Sequence, residues 1–477
     1  MSRTDHDRGE PQRPRLAEHV LARQHVLGSE AFVVLHDELR GTLERIDHRT
    51  WTVLSMADGT RDLEGIRLAA SRLGAQATIG SVRAFFDDLA RRGMLEEGPP
   101  PYEPDRVASP AGREHIDAHV VERLQAFTLH CDGSGACCRM YQTILFTPED
   151  VTRARASVPR PKVDPVPAER MFVPLRGSAP MPLQTVTLRD AGCAYLDPDG
   201  RCAIHVAGGP SAKPIGCRTF PLHLCDDGTA LRQGVRFECA CVFESIARPG
   251  GSALLDQRVR TGADLAATAH VETLPDRVEL RHAVDVSRAS LRAWTEALLK
   301  LPDHDDPAAR LWAWADEIER EGLRPDGPTA DPPPTSPAPV QPWVAVLHDL
   351  AATRSRREAA WRTPDDWSVQ ALRWLVATTA VVRRPEVWAE VLTLRPPSLA
   401  HESFYVRATA FAYAWVDNRP LATSLRDRAV RLWLARCMPT FAGLVPDEPA
   451  WRHPLSVIET LMRVHGLVRY TDASGES

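Results

Sequence analysis

The cysteines constrain this chain more than any other feature. Nine of the ten lie between Cys131 and Cys241, where an even scatter would put about two, and the tenth, Cys437, stands alone. A chain of 477 residues can bury a large core, so it does not need sulfur cross-links to stay folded. Cysteine is also at home in cores as a small hydrophobe, which accounts for any one of the nine but poorly for all of them together. The segment Met1 to His19 is polar and has no apolar stretch of the kind a secretory leader carries. The longest strongly apolar run, Trp374 to Val382, is far shorter than the roughly 20 residues a membrane span requires. A cytoplasmic protein without a membrane partner is therefore expected. In that reducing compartment a cysteine cluster reads as metal-binding or redox, not as a disulfide framework.

The spacing of the sulfurs refines this. Cys131, Cys137 and Cys138 sit in His130-Cys131-Asp132-Gly133-Ser134-Gly135-Ala136-Cys137-Cys138, where the glycines permit a tight loop. In an extended strand the adjacent Cys137 and Cys138 would face opposite sides, so either the loop is kinked or the two have different roles. Cys193-Ala194-Tyr195-Leu196, Asp197-Pro198-Asp199-Gly200 and Arg201-Cys202-Ala203-Ile204-His205 read as a hairpin that brings Cys193 and Cys202 together. Cys217, Cys225, Cys239 and Cys241 complete the set. Thiolates suit zinc and iron–sulfur clusters, and His130, His205 and His223 are candidates for mixed ligation, each weighed against an ordinary loop histidine. The absence of a Cys-x2-Cys pair weakens a simple zinc ribbon.

Three ordered motifs in this region resemble the YkgJ-type cysteine-cluster family, a zinc- or iron-chelating CxxCxxCC domain. The likeness runs from Phe127 to about Glu244. The first motif maps to Cys131, Ser134, Cys137 and Cys138. The second maps to Cys193, Tyr195, Leu196, Arg201, Cys202, Ile204 and His205. The third maps to Lys213-Pro214, Cys217-Arg218 and Phe220-Pro221. Cys239 or Cys241 would supply the last family cysteine. Ser134 replaces a family cysteine, a departure for which Cys225 or the spare of Cys239 and Cys241 could compensate. The resemblance implies a metal set drawn from Cys131, Cys137, Cys138, Cys193, Cys202, Cys217, Cys239 and Cys241. It implies an iron–sulfur cluster, with 4Fe-4S favoured, or zinc. The same domain occurs in flagellin lysine-N-methylases, which also carry a helical region after it. An alternative reading is thus a protein lysine N-methyltransferase, with S-adenosylmethionine as cofactor on that reading only. No glycine-rich dinucleotide-type loop and no radical-enzyme Cys-x3-Cys-x2-Cys spacing supports it independently. A metal-responsive regulator is the third reading.

Residues 16–97 read as a separate module. Phe32-Val33-Val34-Leu35 and Thr42 to Ile46 look like strands, and Trp51 to Leu54 looks like a short helix ended by Asp58-Gly59. Thr60 and Ser81 are candidate caps of two further helices, the second stopped at Gly93. This winged-helix-like pattern resembles the PqqD-like peptide-recognition fold, which implies a peptide or protein partner added beside an edge strand such as Phe32 to Leu35. A DNA-binding winged helix is disfavoured by charge. The module carries ten Arg against thirteen Asp and Glu, and Asp87-Asp88 interrupts the would-be recognition helix. The whole chain, at −5, likewise argues against a nucleic-acid partner.

The expected architecture is α+β and mostly α: an N-terminal winged-helix-like domain (16–97), a Pro-rich linker (98–118), a turn-rich cysteine-cluster domain (119–250), a helical segment (251–323), a second Pro-rich linker (324–342) and a C-terminal helical domain (343–470). Eleven of the twelve tryptophans, from Trp294 to Trp451, fall in the helical half, where core filling is their expected role. Asp303-His304-Asp305-Asp306 and Asp365-Asp366, both beside prolines, read as helix-start and loop signals, and Glu402 and Asp417 as helix-start and segment-end carboxylates with a cleft-lining role as the weaker alternative. Cys437 reads as a buried helix residue.

Overall fold

The computed structural model describes most of residues 13–96, 116–158, 171–265, 271–329, 340–437 and 453–464, with short breaks inside these spans. The chain is α+β and mostly α, with 51% helix against 18% strand. It forms two compact units, one built from most of the first 109 residues and one from most of the remainder.

In the first unit three strands lie in the order Val20–Leu27, Glu30–Asp37, Thr42–Asp47. Phe32 to Leu35 therefore belong to the central strand, with Phe32 paired to Asp47 and Leu35 to Glu44. The expectation that this segment is an edge is corrected. Its run of four buried side chains is what a central strand requires, and Val20–Leu27 ahead of it takes one outer position. Three helices follow, His48–Leu54, Leu63–Arg72 and Ile79–Arg91. Asp47 caps the first by accepting from the Thr50 amide at 2.7 Å. Asp62 caps the second by accepting from Gly65 N at 2.8 Å; the Asp58-Gly59 turn and the Thr60 cap expected there lie outside the described residues. Thr78, not Ser81, caps the third, and Ser81 returns a hydrogen bond from the N3 position. A capping box needs both partners, and Ser81 is its N3 member. Gly93, at φ +65°, ends that helix as expected. Arg15–Leu16 and Leu95–Glu96 close the unit as a two-stranded pair.

The second unit joins segments expected to be separate. Its four-stranded sheet has the order Glu272–Thr273, Leu222–Asp226, Ala230–Val235, Val120–Arg123. One continuous core runs from Cys225, Val235, Phe237, Cys239 and Cys241 on the cysteine side to Met462 on the last helix. Phe237 meets Tyr405 with ring centroids 4.7 Å apart, and Phe127 stacks on Phe404 at 5.2 Å. The described parts of 119–250, 251–323 and 343–470 thus contribute to one core. The cysteine region has an apolar cluster of its own around Phe146, Phe172 and Tyr195, and its last part, from Cys225 to Phe243, packs into the core shared with the helices.

The helical half is organised around Leu421–Cys437. Leu425, Ala429, Leu432 and Trp433, the expected apolar face, are all fully buried. Trp312, Trp314, Trp374, Trp388, Trp415 and Trp433 fill the surrounding core, as expected of them. The same helix sends four arginines to different neighbours. Arg426 binds Asp316 at 2.8 Å, and Arg428 binds the Tyr405 hydroxyl at 2.8 Å. Arg431 binds Asp427 and Glu459, the latter at 2.9 Å, and Arg436 binds Glu402 and Asp306, each at 2.7 Å. Glu402 and Asp417 are therefore partners of buried arginines and not simple caps, Asp417 being held by Arg419 and Ser424. Asp306 and Asp366 do cap helices, by accepting from Ala309 N and Ser368 N.

This network sets an acid limit. Burial pushes the Asp427 carboxyl up, but Arg431 and Arg419 outweigh it and hold it below its ordinary 3.8. Asp417 is likewise held low, by Arg419 against the pull of burial. A depressed carboxyl contributes stability that is complete above its unfolded value and is lost as pH falls through the folded one. The melting temperature of the native chain should therefore stay level above about pH 5 and fall steeply below 3.8. Asp427→Asn should melt lower at neutral pH yet show a shallower acid decline. An unchanged slope in that variant would remove Asp427 from the cause.

Candidate metal centre

The sulfur set begins at Gly135. It lies in the left-handed region at φ 68°, ψ 11°, immediately before the short helix Ala136–Met140 that carries Cys137 and Cys138. The chain is kinked there into a helical turn, one of the two alternatives the adjacent cysteines left open, and Cys138 N donates to Gly135 O at 2.9 Å. A Cβ at Gly135 would stand 2.1 Å from the Gly200 carbonyl oxygen and 2.4 Å from Leu196 Cδ1. The first cysteine loop is therefore pressed directly onto the tip of the hairpin.

That hairpin has the form its residues indicated. Asp197 N donates to Arg201 O and Gly200 N to Asp197 O, each at 2.8 Å, while Leu196 and Cys202 form an antiparallel bridge. Cys193 pairs with Leu188 in the strand before the turn, and Tyr195 N points at its sulfur at 3.5 Å. Cys202 precedes the helix Ala203–Gly208. Cys217 lies on the helix Ile215–Thr219, its amide donating to Pro214 O at 3.0 Å. Cys193 belongs to one apolar cluster with Phe146, Phe172 and Tyr195, and Cys138, Cys202 and Cys217 pack against it.

Electrostatics give the same grouping. Cys138 is hydrogen-bonded to both Cys137 and Cys202, and these two bonds push its thiol well above the ordinary value. The bond from Cys138 lowers Cys137. The same kind of bond, aided by the amides of His205 and Ile204 and by Lys213, brings Cys202 down to about 6 against the upward effect of burial. Burial raises Cys193 to about 12 and Cys217 still further, and both also feel Cys137 and Cys202. Cys131, at the exposed end, acts on Cys137. Among the described residues no three His, Cys, Asp or Glu side chains are spaced as ligands of one ion; the sulfurs are linked pairwise instead.

The structure links Cys138 to Cys137 and Cys202, sets Cys138, Cys202 and Cys217 against the cluster that holds Cys193, and leaves Cys131 at the exposed end. It places Cys225, Cys239 and Cys241 in the core shared with the helices, against which Cys137 also packs. Cys437 is buried there too, with its thiol 3.3 Å from Trp433 O. The candidate histidines have other contacts. His130 Nε2 lies 3.1 Å from Arg248 O, and buried His223 Nε2 lies 3.2 Å from Ala412 O. His205 is exposed on its helix. Ser134 lies outside the described residues. Lys213, which no argument from the residues had given a role, stands among the sulfurs. The signal for it was the Lys213-Pro214 pair of the third motif, which named the residue without a role.

No helix among the described residues is long and apolar enough to cross a membrane. No family model, curated protein or solved structure matches the chain.

Proposed function

We propose that the chain is a metal-binding cysteine-cluster protein of the YkgJ type that recognises or modifies a polypeptide. The observation that carries this reading is the packing of Cys138, Cys193, Cys202 and Cys217, from three separate stretches of sequence, in and against one apolar cluster, with Cys137 linked to Cys138. Gathering thiols in a low-dielectric setting makes their ionised forms costly, and a soft cation or iron–sulfur core offsets that cost. The donors suit such a group in chemistry, being sulfurs mostly shielded from water, but among the described residues no three of them are spaced around one ion, so binding would require them to draw together. Cys137, Cys138, Cys193, Cys202 and Cys217 would hold it, with Cys131 at the exposed side. The group would supply structural closure or electron transfer.

The polypeptide partner rests on the N-terminal unit. With Phe32 to Leu35 in the centre of the sheet, an extended peptide would add to an outer strand, Val20–Leu27 or Thr42–Asp47. Methyl transfer from S-adenosylmethionine to a co-expressed protein would turn this reading into that of a lysine N-methylase.

Anaerobic purification with elemental analysis tests the metal. Broad absorbance near ~400 nm would identify iron–sulfur, because zinc is d10 and colourless. Cys138→Ser, Cys202→Ser and Cys217→Ser should each remove most of the bound metal, whereas Cys437→Ser should leave it unchanged. Loss from Cys437→Ser with retention in Cys217→Ser would overturn the assignment.

A further inference from the structure

The helix Pro307–Glu321 stops at Gly322, and the chain then turns back onto it. Arg324 O accepts from Gly327 N at 3.1 Å, which closes the turn. Gly327 lies at φ +90°, and a Cβ there would stand 2.4 Å from Ala297 Cβ on the helix Arg288–Leu299, so the loop is seated where a side chain would not fit. Two residues later the chain meets a grip built from Pro307–Glu321. Trp314 Nε1 donates to Thr329 O at 2.8 Å, and Thr329 N donates to Glu317 Oε2 at 3.1 Å. Arg324 adds a hydrogen bond to Thr329 Oγ1 at 3.0 Å. Trp314 is 1% exposed and Glu317 7%, so the grip is set in a wall shielded from water. Trp294 stands edge-on to the Trp314 ring at 6.2 Å and the Arg310 guanidinium lies 5.0 Å from its centroid, which hold the indole in place.

Trp314 and Glu317 take hold of main-chain atoms, the N–H and the C=O of one residue that belongs to neither helix nor strand. Such a grip reads backbone and accepts any peptide that presents the same pair of groups. Proline-containing peptides suit an aromatic-walled grip of this kind, because their backbone is pre-set and free of internal hydrogen bonds. The chain itself offers the dipeptide twice, as Pro328-Thr329 and as Pro334-Thr335. We infer that Trp314 and Glu317 form a peptide-binding site on the helical half, which the chain's own Pro328-Thr329 occupies as a stand-in for a Pro-Thr segment of a partner polypeptide. The site is independent of the sulfur set and of the strands of the first unit. Tethered so closely, the resident segment competes at an effective concentration on the order of millimolar, so the site stays closed to a dilute partner until the loop leaves its seat.

The test uses the full-length chain and a fluorescein-labelled synthetic peptide with the sequence Leu323 to Ala330. In Gly327→Val combined with Thr329→Pro, the resident segment loses its seat against Ala297 and the N–H that Glu317 accepts, while Trp314 and Glu317 stay intact. By fluorescence anisotropy this double variant should bind the peptide at least about tenfold more tightly than the native chain. Methylating the threonine nitrogen of the peptide, or adding Trp314→Phe to the double variant, should each remove most of that gain. A double variant that melts like the native chain yet binds no peptide would overturn the proposal. Equal binding of the plain and N-methylated peptides, or equal binding by the native chain and the double variant, would overturn it too. Should the double variant not fold, hydrogen exchange on the native chain decides. Millimolar unlabelled peptide should speed exchange at the Gly327 and Thr329 amides, and unchanged rates at both would sink the inference.

Discussion

If the chain binds metal through its sulfurs as proposed, Gly135→Ala is expected to abolish that binding without touching a sulfur. The added methyl would have to occupy space 2.1 Å from the Gly200 carbonyl oxygen, a backbone atom that cannot rotate away. The position also demands φ +68°, where an alanine is strained. Strain and overlap together should cost at least about 3 kcal/mol if the contact is kept. The cheaper response is to separate the first loop from the hairpin, which withdraws Cys137 and Cys138 from Cys193 and Cys202. Elemental analysis should then show little metal, and the neutral thiol reagent should reach Cys138 faster. Gly209→Ala is the comparison. It too lies at positive φ but has open space around its Cβ, so it should share the conformational strain and not the loss of metal. Equal metal content in the two variants would disprove the role of the Gly135–Gly200 contact.

Arg436→Met should be the most destabilising change in the helical half. The Arg436 side chain is 0% exposed, and it serves Glu402 through two hydrogen bonds, Asp306 through one and the Leu394 carbonyl through another. Removing it leaves a buried carboxylate without its cation, a loss of about 3–5 kcal/mol. In a body of this size that lowers the melting temperature by roughly 10 °C. Burial already raises Glu402 against the opposing pull of Arg436, so the carboxylate is costly even in the native chain. Adding Glu402→Gln to Arg436→Met should therefore recover part of the loss. Should the double variant melt below the single one, the buried charge is not the source of the cost.

Local signals in the sequence were reliable where one short segment determines its own shape. The Asp197-Pro198-Asp199-Gly200 turn, the Gly93 stop and the apolar face at Leu425, Ala429, Leu432 and Trp433 all follow from turn chemistry or periodicity. Pairing partners were less legible. Phe32 to Leu35 looked like an edge because Val20–Leu27, which flanks it, has a mixed sequence with Arg23, Gln24 and His25 breaking the apolar pattern. The shared core was hidden for a similar reason. Cys239 and Cys241 look like ligands beside other cysteines, and only the fold reveals that their segment packs on distant helices. The arginines of Leu421–Cys437 would pass for a solvated face, since nothing local shows that Glu459, Tyr405 and Glu402 wait for them.

Neighbouring residues Cys137 and Cys138 look into different interiors. Cys137 packs against the helical core, and Cys138 packs against the cluster around Tyr195. A ligand held by both sulfurs would act as a rivet through the two layers, so starving the chain of that ligand would loosen far more than a loop. By mass action, occupancy would be paid out as resistance to unfolding, and cellular proteases would meet the empty form first.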